Sequence, residues 1–319
     1  MPSVVVSAGD RERFETNGYL VVEDVVDPSF DAIWAEYQVV LDEIAGAAGI
    51  DLPADRPVTQ RLLDLATRTG SSHAQHFDIS LPRFGITPDT PLHVGPAMFA
   101  ALRDERLLDV VEAFVGPEIY CNPVQHIRMK LPAGVARDGD HGALLRVPWH
   151  QDQGVVLPEA DATATLTVWM PLTPATVDNG CLHVIPGSHR RGLVTHCALS
   201  SSSNPGGIPD ALLGGRAVPV PIEPGTVLLL HRNTIHTSFA NRTTAEVRVS
   251  LDLRYHPVGQ PTGRPAFPGF IARSRRDPTT ELRDPATWAR SWLAARDELA
   301  ANPSRGGMSR WRRGDPLCA

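Results

Sequence analysis

The segment ATLTVWMPLTPATVDNGCLHVI, residues 164–185, carries the signals that decide the fold. Its first run, 164–172, is rich in β-branched and aromatic residues, and a second apolar run occupies 181–185. Between them lies Asn179-Gly180, a dipeptide that favours the tight turn of a β-hairpin. The segment therefore predicts two antiparallel strands joined by a turn.

The same period-2 pattern continues on both sides of this segment, with Pro, Gly, Asn and Ser clusters between the runs. Many short strands without long helices between them indicate an antiparallel sandwich or barrel. We find no internal repeat and no glycine-rich phosphate loop. Strands are predicted at 119–130, 144–153, 164–172, 181–185, 217–220, 226–231 and 246–256.

Helical spacing governs the two flanks of the chain. Asp27-Pro28 predicts a helix start, and an apolar stripe at helical spacing follows it. A second amphipathic helix is expected at about 104–114, ended by Gly116-Pro117. Asp284-Pro285 caps a third, whose tryptophans share one face. We expect one domain, 1–319, with a helical N-terminal scaffold (1–117), a β core (118–257) and a C-terminal helix and tail (258–319).

Composition limits the kinds of protein this chain can be. Its 319 residues are 42% hydrophobic and carry a formal net charge of −6, which does not favour a nucleic-acid-binding surface. No apolar run is long enough to span a bilayer, and MPSVVVSAGD lacks a signal-peptide pattern. Four cysteines without paired spacing predict a reduced, cytoplasmic protein. The basic C-terminus around Arg310 is expected to be a solvated end.

The stretch Val147-Pro148-Trp149-His150-Gln151-Asp152 suggests a metal site. In a strand, side chains two residues apart point the same way, so His150 and Asp152 can both reach one ion. His236 follows an apolar run far downstream. Two histidines and one carboxylate on one face of an octahedral ion leave positions open, as in non-haem Fe(II) oxygenases.

A polar row after His236 adds to this interpretation. In 246–256, Val247, Val249, Leu251 and Leu253 face one way, while Arg248, Ser250, Asp252 and Arg254 face the other. Such a row must face solvent or a polar cavity, and an arginine in a cavity suits bidentate binding of a carboxylate. From the pattern alone, a hydrogen-bonded core histidine at 150 and a solvent-exposed Arg248 remain alternatives.

Three motifs in this order resemble one family. They are WHQD at 149–152, TVWMPLTPATVDNGCLHVIPGSH at 167–189 and HTSFANRTTAEVR at 236–248, and FETNGYLVVEDVVDP at 14–28 also fits. Together they are similar to the phytanoyl-CoA dioxygenase family, over nearly the whole chain. The resemblance implies a mostly β fold with flanking helices, built on a double-stranded β-helix (jelly-roll, cupin-like) core. It also implies an Fe(II)- and 2-oxoglutarate-dependent oxygenase that uses O₂.

The resemblance also implies roles for single residues. His150, Asp152 and His236 would be the iron ligands, and Arg248 would hold the distal carboxylate of 2-oxoglutarate. Trp169 and Thr167 share a strand face and are candidates to line the co-substrate pocket, as is Gln125. These last three are equally compatible with ordinary barrel lining.

The expected reaction is hydroxylation of an unactivated C–H bond of a small molecule, with release of succinate and CO₂. Asp152 disfavours halogenation, because halogenating relatives replace this carboxylate with a small residue. Desaturation or ring formation remains open, as do a cupin-like metalloenzyme without 2-oxoglutarate and a non-catalytic binding barrel. The substrate, any bound CoA thioester and the oligomeric state are not determined.

Several other residues have open roles. His231 is a rival third ligand, less well placed than His236, and His189 is expected to fix a turn. His126, Arg128 and Lys130 alternate on one strand face and are either exposed or hold an anionic substrate. Loops at 132–142 and at about 195–215 are candidate covers for the pocket.

Overall fold

The computed structural model describes residues 4–82, 84–135, 147–198, 207–303, 310–311 and 316–318. The helices in these ranges are α1 Ala8–Asn17, α2 Asp31–Ala47, α3 Val58–Thr69, α4 Pro96–Leu102, α5 Glu105–Val115, α6 Asp210–Leu213 and α7 Pro285–Ala301. The strands are β1 Tyr19–Val22, β2 Glu118–Cys121, β3 His126–Lys130, β4 Val147–His150, β5 Leu166–Pro171, β6 Leu182–Val184, β7 Val218–Val220, β8 Val227–His231, β9 His236–Ser238, β10 Arg248–Pro257 and β11 Phe270–Ser274.

Two antiparallel sheets form the centre of the molecule. The larger has the order β1-β8-β5-β10-β2-β11, with β3 also paired to β10, and the smaller has the order β4-β9-β6-β7. Every strand pairing is antiparallel. The expectation of a mostly β fold with flanking helices is confirmed.

Strand β10 separates an apolar layer from a polar one. Val249, Leu251 and Leu253 are buried in the main core, together with side chains from α2, α3, α5 and α7. Arg248 and Ser250 are equally buried, but they lie on the opposite face of the strand. The helices therefore cover one face of the large sheet, and the other face is left for a polar interior.

The helical flanks largely follow the sequence pattern. The Asp104 side chain caps α5 by accepting from the backbone N–H groups of Arg106 and Leu107, and Trp288 and Trp292 of α7 are buried. The start of α2 differs from the prediction. The Asp27 carboxylate instead accepts from the backbone N–H of Ser29 in a turn, and α2 begins four residues later.

The predicted hairpin at Asn179-Gly180 is wrong, although its turn is real. Gly180 has φ +89°, and a Cβ there would lie 2.6 Å from the carbonyl oxygen of Phe239, so only glycine fits. The turn joins the two sheets: β5 pairs with β8 and β10, whereas β6 pairs with β7 and β9. A ten-residue connection allowed the chain to change sheets.

Other strand predictions need correction. The run predicted at 119–130 is two strands, because Asn122-Pro123 interrupts it, and β9 and β11 were not predicted as strands. Part of the run at 144–153 lies outside the described residues. No described helix combines the length and apolarity needed to cross a membrane.

The expectation that all four cysteines are reduced is also wrong. Cys197 and Cys318 form a disulfide with a Cα–Cα distance of 5.4 Å, while Cys121 and Cys181 are free and buried. The two partners are 121 residues apart, so no local spacing could reveal the pair. The cytoplasmic location stays a prediction.

Candidate active site

The side chains of His150, Asp152 and His236 converge between the two sheets. Their potential ligand atoms all lie within 4.8 Å of one another, and the two imidazole ring centroids are 4.2 Å apart. His150 ends β4 and pairs directly with His236 at the start of β9. Asp152 lies beyond the strand, at the start of a 3₁₀ turn over 152–155, so strand alternation is not what brings it to His150. The turn achieves the same result, with Nε2 of His150 3.8 Å from Oδ1 of Asp152.

Both imidazoles are oriented by backbone carbonyls. Nδ1 of His150 lies 2.9 Å from the carbonyl oxygen of Pro148, and Nδ1 of His236 lies 3.0 Å from that of Thr234. An Nδ1–H that donates to a carbonyl leaves the Nε2 lone pair directed at the cluster. Burial lowers the pKa of His150 to about 3. His150 is therefore neutral, as a metal ligand must be.

Asp152 is held ionised by its neighbours. Oδ1 accepts from Nη2 of Arg254, and Oδ2 accepts from the hydroxyl of Thr167. Burial alone would raise the pKa of the Asp152 carboxyl, but its neighbours, led by the positive charge of Arg254, outweigh that effect and keep the pKa below its usual range. Two imidazole nitrogen donors and one carboxylate on one side of a shared point fit the donor set of non-haem Fe(II) centres.

Arg248 lies fully buried further along the polar face of β10. Its Nη1 donates to the hydroxyl of Ser250, and its Nη2 donates to the carbonyl of Gly180 and the hydroxyl of Ser238. Burial lowers the pKa of Arg248 to about 9. No carboxylate in the described part of the chain forms an ion pair with Arg248, and its Nε has no partner there. A buried guanidinium without a counter-charge fits an anionic ligand.

The three remaining candidates have different surroundings. Thr167 contacts Asp152, so it lies in the metal cluster rather than at the Arg248 end. The Trp169 ring lies under the guanidinium of Arg248, 5.4 Å from ring centroid to Cζ. The hydrogen bond of Gln125 reaches neither group, because its amide donates to Sγ of Cys121 at 2.7 Å.

The sequence left two important residues without a role. Lys130, fully buried, is the direct cross-strand neighbour of Arg248, and its Nζ donates to the carbonyls of Ser238 and Phe239. Arg254 was recognised only as part of the polar row, yet it binds Asp152. Strand alternation on β3 and β10 was the signal for both, but it does not show which partner each side chain meets.

The rival histidines lie outside the cluster. Nδ1 of His231 accepts from the backbone N–H of Asn233, and its ring packs against His189 with centroids 5.1 Å apart. His189 also contacts the carbonyl of Glu15 in α1, which fits its expected role in fixing a turn. The structure therefore brings His236, not His231, beside His150.

The C-terminal segment (310–311 and 316–318) is not the solvated end expected from its charge. Arg310 donates to both carboxylate oxygens of Asp161, at 2.6 and 2.9 Å. Trp311 donates to the carbonyl of Gly154, at 2.6 Å, and stacks on His196. His196 in turn accepts from the backbone N–H of Gln151, between the two ligand candidates of WHQD. This segment therefore packs against the turn that carries Asp152.

Parts of the two loops expected to cover the pocket, 136–142 and 199–206, lie outside the described residues. The described part of the second loop carries Cys197, so the disulfide connects this loop to the C-terminal segment.

Comparison with known proteins agrees with this geometry. Residues 14–250 match the family model described as Phytanoyl-CoA dioxygenase (PhyH). A 1-deoxypentalenic acid 11-beta-hydroxylase from Streptomyces arenae is 31% identical over 152 residues, which cover 42% of this chain and about half (53%) of that protein. An ectoine dioxygenase from Sphingopyxis alaskensis is 27% identical over 286 residues, covering 84% of this chain and 83% of that protein.

Solved structures show the same fold. A non-heme monooxygenase, ThoJ, in its apo form, superimposes with a TM-score of 0.58 at 20% identity, covering 93% of this chain and 99% of the other. EctD from S. alaskensis, in its apo form, gives a TM-score of 0.51 at 23% identity and covers 88% of each chain. The cupin-like core expected from the sequence is confirmed.

Proposed function

Because this chain belongs to the phytanoyl-CoA dioxygenase family of Fe(II)- and 2-oxoglutarate-dependent dioxygenases, we propose the following reaction for it. The reaction is hydroxylation of an unactivated C–H bond of a small molecule, with release of succinate and CO₂. One observation carries the proposal. Two imidazoles and an ionised carboxylate converge at one end of a polar interior, and a buried arginine without an ion-pair partner in the described part of the chain lies at the other.

Each side chain has a specific task in this reaction. His150, Asp152 and His236 would hold Fe(II) on one face and leave its other positions to 2-oxoglutarate and O₂. Iron bound there would couple the oxidative decarboxylation of 2-oxoglutarate to insertion of one oxygen atom into the substrate C–H bond. Arg248 would bind the distal carboxylate of 2-oxoglutarate through the N–H groups that its protein partners leave free, those of Nε and Nη1.

The neighbouring residues support these tasks. Arg254 and Thr167 fix both oxygens of Asp152 and keep the carboxylate ionised. Ser250 and Ser238 fix the plane of the Arg248 guanidinium, and the Trp169 ring supports it from one side. Such orientation in advance lowers the cost of ordering the reactants and keeps water from the reacting centre.

The presence of Asp152 supports oxygen insertion rather than halogenation. A halide needs a ligand position on the iron that this carboxylate would occupy. In a metalloenzyme without 2-oxoglutarate, Arg248 would stay buried without an ion-pair partner from the described part of the chain, which is energetically costly. The match to a hydroxylase named for 1-deoxypentalenic acid supports a free small molecule from secondary metabolism as the substrate class.

Succinate formation tests the proposal before the substrate is known. Purified protein with Fe(II), O₂ and 2-oxoglutarate should release succinate slowly through uncoupled turnover. Asp152→Ala should abolish that release, and Arg248→Gln should raise the KM for 2-oxoglutarate at least about tenfold, because one charged hydrogen-bond partner is lost.

The exposed Arg11 on α1 supplies the matched control. Arg11→Gln should leave both parameters unchanged. Full succinate release by Asp152→Ala would remove Asp152 from the ligand set, and an unchanged KM in Arg248→Gln would exclude Arg248 as the co-substrate partner.

A further inference from the structure

Strand β3 presents three basic side chains to the polar interior. His126, Arg128 and Lys130 pair directly with Asp252, Ser250 and Arg248 of β10. Residues paired across an antiparallel ladder point to the same face. Since Ser250 binds Arg248 inside the barrel, the Arg128 side chain lies on the inner face as well.

Two of these three side chains already have partners. Nδ1 of His126 lies 3.0 Å from the Asp78 carboxylate, and Lys130 donates to two backbone carbonyls. Arg128 is only partly buried, and it makes no hydrogen bond or ion pair within the described ranges. It is therefore a charged group in the interior that no residue of the described ranges neutralises.

The acidic groups near Arg128 are already engaged. Asp252 forms an ion pair with Arg254, at 3.4 Å, and Asp78 is bound by His126 and by the backbone N–H of Ile127. Burial lowers the pKa of His126, and the positive charge of Arg128 is the second cause of that lowering. Among the residues that the structure describes, this side of the interior therefore carries positive charge without an acidic partner.

Burial separates two positions for anions. Arg248 and Lys130 are almost completely inaccessible, whereas Arg128 and His126 are partly exposed. The buried pair suits a co-substrate enclosed before the substrate arrives. The accessible Arg128 suits a group that enters afterwards.

We propose that Arg128 binds a carboxylate or phosphate group of the substrate, so that this enzyme acts on an anionic small molecule. The inference rests on the proposed function, because it assigns the deeper Arg248 to 2-oxoglutarate. The guanidinium would hold the anion through paired N–H donors and thereby orient the carbon to be oxidised.

The first test measures anion binding without turnover. Protein carrying Mn(II) in place of Fe(II), with and without saturating 2-oxoglutarate, is titrated in a thermal-shift assay. The probes are benzoate, octanoate and inorganic phosphate, with benzamide and octanamide as neutral counterparts. At least one anion should raise the Tm more than its neutral counterpart or a matched chloride concentration. Arg128→Gln should weaken its binding about tenfold or more.

Two further variants separate binding from folding. Arg128→Lys should restore part of the anion binding, and Arg11→Gln should behave as wild type. The Tm of ligand-free Arg128→Gln should stay the same or rise, because the substitution removes repulsion with Arg248 and no favourable contact that the described part of the chain shows. A structural role for Arg128 would instead lower that Tm.

The affinity for 2-oxoglutarate distinguishes the two anion positions. Arg128→Gln should change the Kd of 2-oxoglutarate less than about threefold, whereas Arg248→Gln should change it at least about tenfold. Equal losses in both variants would make Arg128 a co-substrate residue and overturn the proposal, as would a wild-type protein that prefers no anion. Failure of the proposed function itself would appear separately, as wild-type protein that forms no succinate.

Discussion

The guanidinium of Arg254 donates through Nη2 to Oδ1 of Asp152, and both side chains are almost completely buried. The pair joins the central strand of the large sheet to the turn that carries the carboxylate of the metal cluster. Asp252 also contacts Arg254, and these two carboxylates raise the pKa of the guanidinium against the effect of burial. Arg254 is therefore charged throughout the accessible pH range.

Removal of Arg254 should destabilise the metal-free protein. Arg254→Gln leaves the Asp152 carboxylate buried without its counter-charge, which typically costs about 3–5 kcal/mol. Urea denaturation measures this loss. The exposed pair between Arg13 and Asp10 provides the control, since Arg13→Gln should cost less than about 1 kcal/mol. Equal effects of the two substitutions would contradict the structural role of Arg254.

Replacing Thr167 should weaken metal binding more than folding. Thr167→Val keeps the shape of the side chain but removes the hydroxyl that donates to Asp152. Loss of such an orienting partner typically lowers metal affinity by about 10- to 100-fold. Mn(II) titration of the purified variant measures the affinity. Thr165→Val serves as the control, because that hydroxyl has no partner in the described part of the chain; a similar loss there would contradict the prediction.

The buried Lys130 should make the free energy of unfolding depend on pH. Burial, followed by the charges of Arg248 and Arg128, lowers the pKa of its ammonium from 10.5 to about 6. Between these values the unfolded chain holds more protons than the folded one, so the free energy of unfolding should rise with pH. The slope from about pH 7 to 8.5 should approach about 1.4 kcal/mol per pH unit.

The measurement is unusually clean, because Lys130 is the only lysine in the sequence. Isotope-labelled lysine gives one NMR signal, whose titration reports this pKa directly. Lys130→Met should flatten the slope measured by urea denaturation at each pH. A signal that titrates near 10.5 would contradict the prediction.

The disulfide predicts the number of accessible thiols. Denatured protein should expose two thiols before reduction, those of Cys121 and Cys181, and four thiols after reduction. Because the bond closes a loop of about 120 residues, reduction should lower the free energy of unfolding by about 2–4 kcal/mol. Cys318→Ser should show the same loss and no further response to reductant. Four thiols before reduction would show that the bond does not form.

Local patterns predicted those features that depend on alternation or on a single backbone preference. The polar and apolar faces of β10 followed from period 2, because each residue of a strand is forced to one face. The end of α5 followed from Gly116-Pro117, and the start of α7 followed from Asp284, whose short side chain satisfies free backbone N–H groups at the helix start. The strong β propensity of 164–172 was sufficient to place β5.

Pairing between distant segments did not follow from local patterns. The turn at Asn179-Gly180 fixes the backbone at one point, but it does not decide which sheet the next strand joins. The bond between Cys197 and Cys318 forms only because the folded chain brings together two residues that are 121 positions apart. The start of α2 was missed because Asp27 had two possible partners, and the turn to Ser29 prevailed over the helix cap.

The sequence by itself determined the donor types of the candidate site, the polar row behind it and the family to which the motifs belong. These are properties of residue identity and spacing, which the chain carries in any conformation. Only the tertiary structure decided that Asp152 reaches His150 from a turn, that Arg254 and Thr167 hold it there, and that Arg128 has no counter-charge among the described residues. Those facts depend on which side chains meet across β3, β5 and β10. Such contacts arise only when segments far apart in sequence are packed together and shielded from water.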